Sequence, residues 1–289
     1  MHAEASMRPN SAMDDLVRTM TDLRPLSMVA TQVLSLTEGQ QFSAHQLASV
    51  IASDQVLTAK TLRLANSAYY GFPRRITTVR DTVVLLGFRA VRSTTLATCL
   101  LEAMPASKTI DYQPFWRFSL AVGVTAELLS RAEGTRLDEA FTAGVLHNIG
   151  LLALDQAAPR GLADAVARWR GGAPSLEQAE LEVLGFTDSA FGGALVESWN
   201  FPAPLVDAVR DHLLHPDALP DPSSLTACVV RARMFVRANG LSDGIERPDV
   251  TESAEEWAAP PLSTALSRTG GMPGLLERVE AFMDSALTV

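Results

Sequence analysis

The chain has 289 residues, 47% of them hydrophobic and 20% charged, which supplies a packed core and excludes general disorder. Its net charge of −9, from 24 basic and 33 acidic residues, excludes bulk attraction to nucleic acid or an anionic membrane, so any such contact has to be local. The length fits one large domain or two modest ones. Residues 1–15 lack the apolar run of a secretory signal and read as a loose tail. No apolar run reaches the roughly 20 residues that span a bilayer. The two cysteines, Cys99 and Cys228, sit far apart in apolar helical patterns and read as buried thiols, so a cytoplasmic protein without a membrane partner is expected.

Strand signals are nearly absent, and the elements read as helices between recognisable caps. Pro25 opens a helix through Leu36, and Ser43 with Gln46 forms a capping box ahead of Leu47, Val50 and Ile51. Asp54 caps the next, in which Val56, Leu57, Thr61, Leu64 and Ala68 recur at helical spacing until Gly71 and Pro73 stop it. Asn66 reads as part of that C-terminal cap, with a binding surface shared with Tyr69 as the alternative. Thr78 with Asp81 starts a helix that carries Val79, Val83, Val84 and Leu86 and ends at Gly87, and another runs from Ala90 to Met104. Pro105 and residues 106–114 break the periodicity, which sets the join between an N-terminal helical subdomain (16–105) and a C-terminal one (106–289).

In the second part, helices are expected from Phe115 to Ala132, Phe141 to Leu154, Gly161 to Arg170, Ser175 to Leu184, Ala190 to Trp199, Pro204 to Leu214 and Ser223 to Asn239. Gly192 and Gly193 fall within a helical pattern, where they permit close packing. Residues 240–274 are rich in Gly, Pro, Ser and acids and read as a long loop before a last helix from Leu275 to Leu287.

The stretch IASDQVLTAKTLRLANSAYYGFPRRITTVRDTVVLLGFRAVRSTTLATCLL, from Ile51 to Leu101, combines LRLANSAYYG, RRITTV and VVLLGFRAVR in one order. This composite closely resembles the HD-related output domain, HDOD, of bacterial signalling proteins, and the likeness continues to about Asn239. The resemblance implies an all-α fold, with an N-terminal helical subdomain joined to a degenerate HD-like bundle, and a role in signal transduction.

HD phosphohydrolases, to which HDOD domains are related, hold metals on scattered His and Asp side chains, because a metal lowers the pKa of bound water and neutralises phosphoryl charge. By that resemblance the namesake doublet falls at His147 and Asn148, where a neutral amide replaces the aspartate. Phe118 stands where an early histidine is expected, Asp188 in place of another, and His212 is followed by Leu213 rather than a second histidine. Arg233 takes the place of the late carboxylate and puts a fixed cation there. His147, Asp188 and His212 remain as vestigial metal candidates, but the set implies no catalytic residue, no bound metal and no cofactor.

Between Asp54 and Ser93 seven basic residues face two acidic ones, leaving the rest of the chain more acidic than the total. Arg74, Arg75, Arg89 and Arg92 are the candidate interaction surface. The expected function is therefore a non-enzymatic regulator whose partner is a signalling protein. A residual metal-dependent phosphohydrolase and a sensor holding a nucleotide second messenger in the vestigial cleft are the alternatives. Nucleic acid is not an expected partner, since no helix-turn-helix or stacking motif accompanies the charge.

Overall fold

A computed structural model describes residues 10–23, 26–36, 43–104, 109–135, 137, 139–245, 257–258 and 260–287, and among these the chain is helical with no β-strand. The first six helices are α1 (Asn10–Leu23), α2 (Met28–Ser35), α3 (Ser43–Ala52), α4 (Gln55–Ala65), α5 (Val79–Leu86) and α6 (Phe88–Ala103). The next four are α7 (Tyr112–Glu133), α8 (Ala140–Leu146), α9 (Ile149–Ala157) and α10 (Pro159–Arg170). Then come α11 (Leu176–Val183), α12 (Asp188–Ser198), α13 (Ala203–Arg210), α14 (Leu225–Ala238), α15 (Leu262–Arg268) and α16 (Gly271–Leu287). None of the described helices is long and apolar enough to cross a membrane.

Capping chemistry sets several of the starts. Asp54 accepts the Leu57 N–H at 3.0 Å, while Thr78 accepts the Asp81 N–H at 3.0 Å and donates to the Asp81 carboxylate at 2.7 Å. Ser175 and Ser224 cap α11 and α14 in the same way.

Three sequence expectations change. Residues 10–15 are not a loose tail but the start of α1, because Met13, Leu16, Val17 and Met20 line one helical face and pack toward α9 and α12. The helix expected from Phe141 to Leu154 is broken at His147 and Asn148 into α8 and α9. Within the expected loop 240–274 lies α15, which buries Leu262 and Leu266 one turn apart. Pro25, residues 105–108 and residues 246–256, on which other expectations fell, lie outside the described residues.

Apolar side chains form two cores. The smaller gathers Ala30, Val33, Leu47, Ile51, Leu57, Val79, Val83, Val91 and Leu96 from α2 to α6. The larger surrounds α7, whose Phe115, Trp116 and Phe118 are fully enclosed. The division runs along helix faces rather than at a point in the chain. In α6, Val91 and Leu96 point to the smaller core and Ala97, Leu100 and Leu101 to the larger. Likewise α1 joins the larger core, and α16 returns to pack on α4 and α6. That return is secured by Lys60, whose buried ammonium donates to the Ala286 carbonyl at 2.7 Å and pairs with Glu102 at 2.6 Å.

Between α4 and α5 the chain is held by Asn66. Its Nδ2 donates to Leu62 O at 2.7 Å and Ile76 O at 2.8 Å, and its Oδ1 accepts the Ile76 N–H at 2.7 Å. Tyr69 is buried against Phe141 and Phe282, so the two residues do not form a shared outer surface. Asn66→Ala should lower the unfolding free energy by about 2–3 kcal/mol, measured from the urea midpoint. Asn66→Asp, which keeps the acceptor and loses both donations, should fall between it and the parent.

Candidate functional site

The break between α8 and α9 is forced by close backbone approach. A Cβ on Gly150 would be driven into the Asp188 carbonyl, and one on Gly192 would lie 2.9 Å from Gly150 N, so α9 and α12 cross without side chains between them. This crossing brings the start of α12 to the turn that carries His147 and Asn148. The expected role of Gly192 in close packing therefore stands.

His147 and His212 meet edge to face with ring centroids 5.0 Å apart, and Phe118 lies 5.6 Å from His147. Both rings are buried, and each Nδ1 bonds a carbonyl of its own helix, His147 to Gly144 O at 2.6 Å and His212 to Val209 O at 2.7 Å. A carbonyl only accepts, so Nδ1 carries the proton in both rings and Nε2 keeps a lone pair. Neither Nε2 finds a hydrogen-bond partner among the described residues. Burial, then the Arg233 charge, pushes His147 down to about 3. Burial, then His147 and Arg233, holds His212 well below its ordinary value. His212 thus bonds the end of α13 as a neutral ring and not as a cation favoured by the helix dipole.

These residues do not fit a catalytic metal. Two imidazole lone pairs face the centre, but Phe118 and Asn148 offer no anionic ligand and the Arg233 charge acts on both rings. Among the described residues no three His, Cys, Asp or Glu side chains group to hold a metal ion.

Asp188 is committed elsewhere, to a residue that sequence reasoning passed over. Glu180 of α11 is fully buried, and its Oε2 accepts the Asp188 backbone N–H at 2.9 Å while the two carboxyl groups face each other. Burial, then the Asp188 charge, raises Glu180 far above the carboxylate range. Burial also raises Asp188, against the lowering effect of its hydrogen bond to Glu180; Glu177 and Asp243 add to the rise and Arg233 opposes it. The pair holds a proton at neutral pH. The available signal was spacing, since Glu180 shares a helix face with the buried Leu176 and Ala179.

The arginines divide. Arg74 and Arg75 are exposed and make no hydrogen bond or ion pair among the described residues. Arg89 lines a cavity between the two cores. Arg92 is not a surface for partners: its guanidinium donates to Val33 O and Leu34 O, both at 3.2 Å, satisfying orphan carbonyls at the end of α2.

A carboxyl raised in the fold contributes stability that is complete below its unfolded value and is lost as pH rises toward its folded value. The buried histidines act in the opposite sense, costing stability as pH falls below their ordinary range. Glu180→Gln should therefore gain on the parent from about pH 5 to about pH 8, by up to about 1.4 kcal/mol per pH unit in chemical denaturation. A difference independent of pH would exclude the buried proton.

Residues 23–214 match the HDOD domain family. An uncharacterized protein of Treponema pallidum is 23% identical over 225 residues, 75% of this chain but 42% of that protein, so the match spans less than half the relative's length. A solved protein of Shewanella amazonensis, named only provisionally as a phosphohydrolase, is 25% identical with a TM-score of 0.70 over 96% of each chain. A solved HDOD domain protein of unknown function from Geobacter sulfurreducens is 22% identical with a TM-score of 0.72 over 94% of each. A third, a provisionally named signal transduction protein of Marinobacter aquaeolei, is 21% identical with a TM-score of 0.69 over 98% of this chain and 67% of that one. On that match and on its all-helical architecture, the chain belongs to the HDOD domain family.

Proposed function

We propose that the chain is a non-catalytic signalling module that acts by binding a protein partner, with its inherited metal centre kept as packed core. One observation carries this reading: both imidazoles that would hold a metal are neutral, enclosed and faced by the Arg233 charge, with no third ligand grouped with them among the described residues. A phosphoester hydrolase needs an ion that activates water and offsets phosphoryl charge, and this donor set offers a cation in place of a carboxylate. The provisional name of the Shewanella protein describes that protein; here the side chains argue against the same chemistry.

The partner surface is supported by charge and exposure. Arg74, Arg75 and Arg80 are exposed and unpaired among the described residues, on a chain of net charge −9. In α5, one turn after Arg80, Val84 is 73% exposed, and the adjacent Leu85 is 55% exposed. Exposed basic and apolar side chains together suit an acidic partner segment that also carries apolar anchors.

Metal content by mass spectrometry on protein purified without chelators should be far below stoichiometric, and phosphodiesters and phosphomonoesters should not turn over. Stoichiometric zinc, iron or manganese, together with ester cleavage that His147→Ala abolishes, would overturn the reading. In affinity capture from the native cell, the double variant Arg74→Glu, Arg75→Glu should lose the main partner at least tenfold while keeping its circular dichroism. Retention of that partner by the double variant would place the binding surface elsewhere.

A further inference from the structure

We propose that the cavity between the two cores is a binding site for a small phosphomonoester, separate from the vestigial centre. The cavity, of about 290 Å³, is lined by Tyr69 and Tyr70 from the connection after α4, Arg89 and Ser93 from α6, and Glu127 and Arg131 from α7. It therefore touches helices that belong to both cores.

Two of its walls carry polar groups with nothing to bond. Tyr69 is 6% exposed and Ser93 is 7% exposed, and neither hydroxyl makes a hydrogen bond among the described residues. The Tyr69 ring has no freedom to seek a partner, since Tyr70, Phe141 and Phe282 hold it by edge contacts and the Arg278 guanidinium lies 4.8 Å over its face. A hydroxyl that opens on the cavity with no protein partner can donate to a ligand oxygen placed there.

The lining is rich in donors. The hydroxyls of Tyr69 and Ser93 and the guanidinium groups of Arg89 and Arg131 share the lining with one described carboxylate, Glu127, which Arg131 holds at 2.7 Å, while the Tyr70 hydroxyl bonds Thr94. An acceptor-rich anion suits the donors, and a phosphoryl group presents three acceptor oxygens to hydroxyls and a planar fork. Glu127 is left to accept from a hydroxyl on the rest of the ligand. The volume lies near the lower end of the roughly 300–1,000 Å³ range of ligand pockets, which suits a sugar phosphate or mononucleotide and is too small for a cyclic dinucleotide.

Isothermal titration of the full chain with ribose 5-phosphate and with guanosine 5′-monophosphate tests the assignment. At least one should bind saturably below millimolar concentration and raise the melting temperature with ligand concentration. Tyr69→Phe, which removes only the hydroxyl, should weaken that binding about tenfold, Arg131→Glu should weaken it further, and the remote Arg168→Ala should leave it unchanged. Circular dichroism of the unliganded variants establishes that they fold, and Arg131→Gln replaces Arg131→Glu if the latter does not. Binding by neither ester, binding insensitive to both cavity variants, inorganic phosphate or citrate binding as tightly as the esters, or competition by a cyclic dinucleotide would each overturn the proposal.

Discussion

Withdrawing two imidazoles from water settles their charge, and that charge decides what the centre of the bundle can contain. His147 and His212 each donate Nδ1–H to a carbonyl one turn back, which leaves both lone pairs pointing into a dry interior where protonation is disfavoured. In a hydrolase the same orientation serves a cation. Here Arg233 supplies the positive charge permanently, and the rings act as neutral packing between Phe118 and the end of α13.

The same dryness governs Asp188. A buried carboxylate is stabilised by a proton or a cation, and Glu180 shares a proton with Asp188 across the α11–α12 junction. Arg233 also acts on Asp188, so one guanidinium charge acts on both the histidine pair and the carboxyl pair. The glycine crossing of α9 and α12 makes this compression feasible, because it sets the backbone of Asp188 against Gly150.

Fold class was legible from local signals that require no knowledge of the tertiary structure. Asp54 and Thr78 mark helix starts because their side chains compete for the first free N–H groups, whatever packs later. The family run around Asn66 was legible through its resemblance, and the Asn66 side chain caps α4 at Leu62 as expected while also bonding the Ile76 backbone. What escaped were features decided by distant partners. The break at His147 has no proline or glycine signal at that position, since it is set by α12 against Gly150. Glu180 sits on the buried face of α11 with Leu176 and Ala179, but nothing local shows that Asp188 faces it. Arg92 shares its charge with Arg74 and Arg75, and only the proximity of α2 turns it inward. His147 and His212 do meet in the fold, yet composition could not tell that Asp188 would pair with Glu180.

The strap formed by α16 has a consequence for the order of assembly. Lys60 and the carbonyl that satisfies its ammonium are separated by 226 residues, so during synthesis the amine leaves the ribosome long before its acceptor exists. Glu102 arrives earlier and offers a provisional counter-ion. Docking of α16 onto α4 is thus tied to the synthesis of α16, and a chaperone or protease meeting the nascent polypeptide before then encounters an open seam.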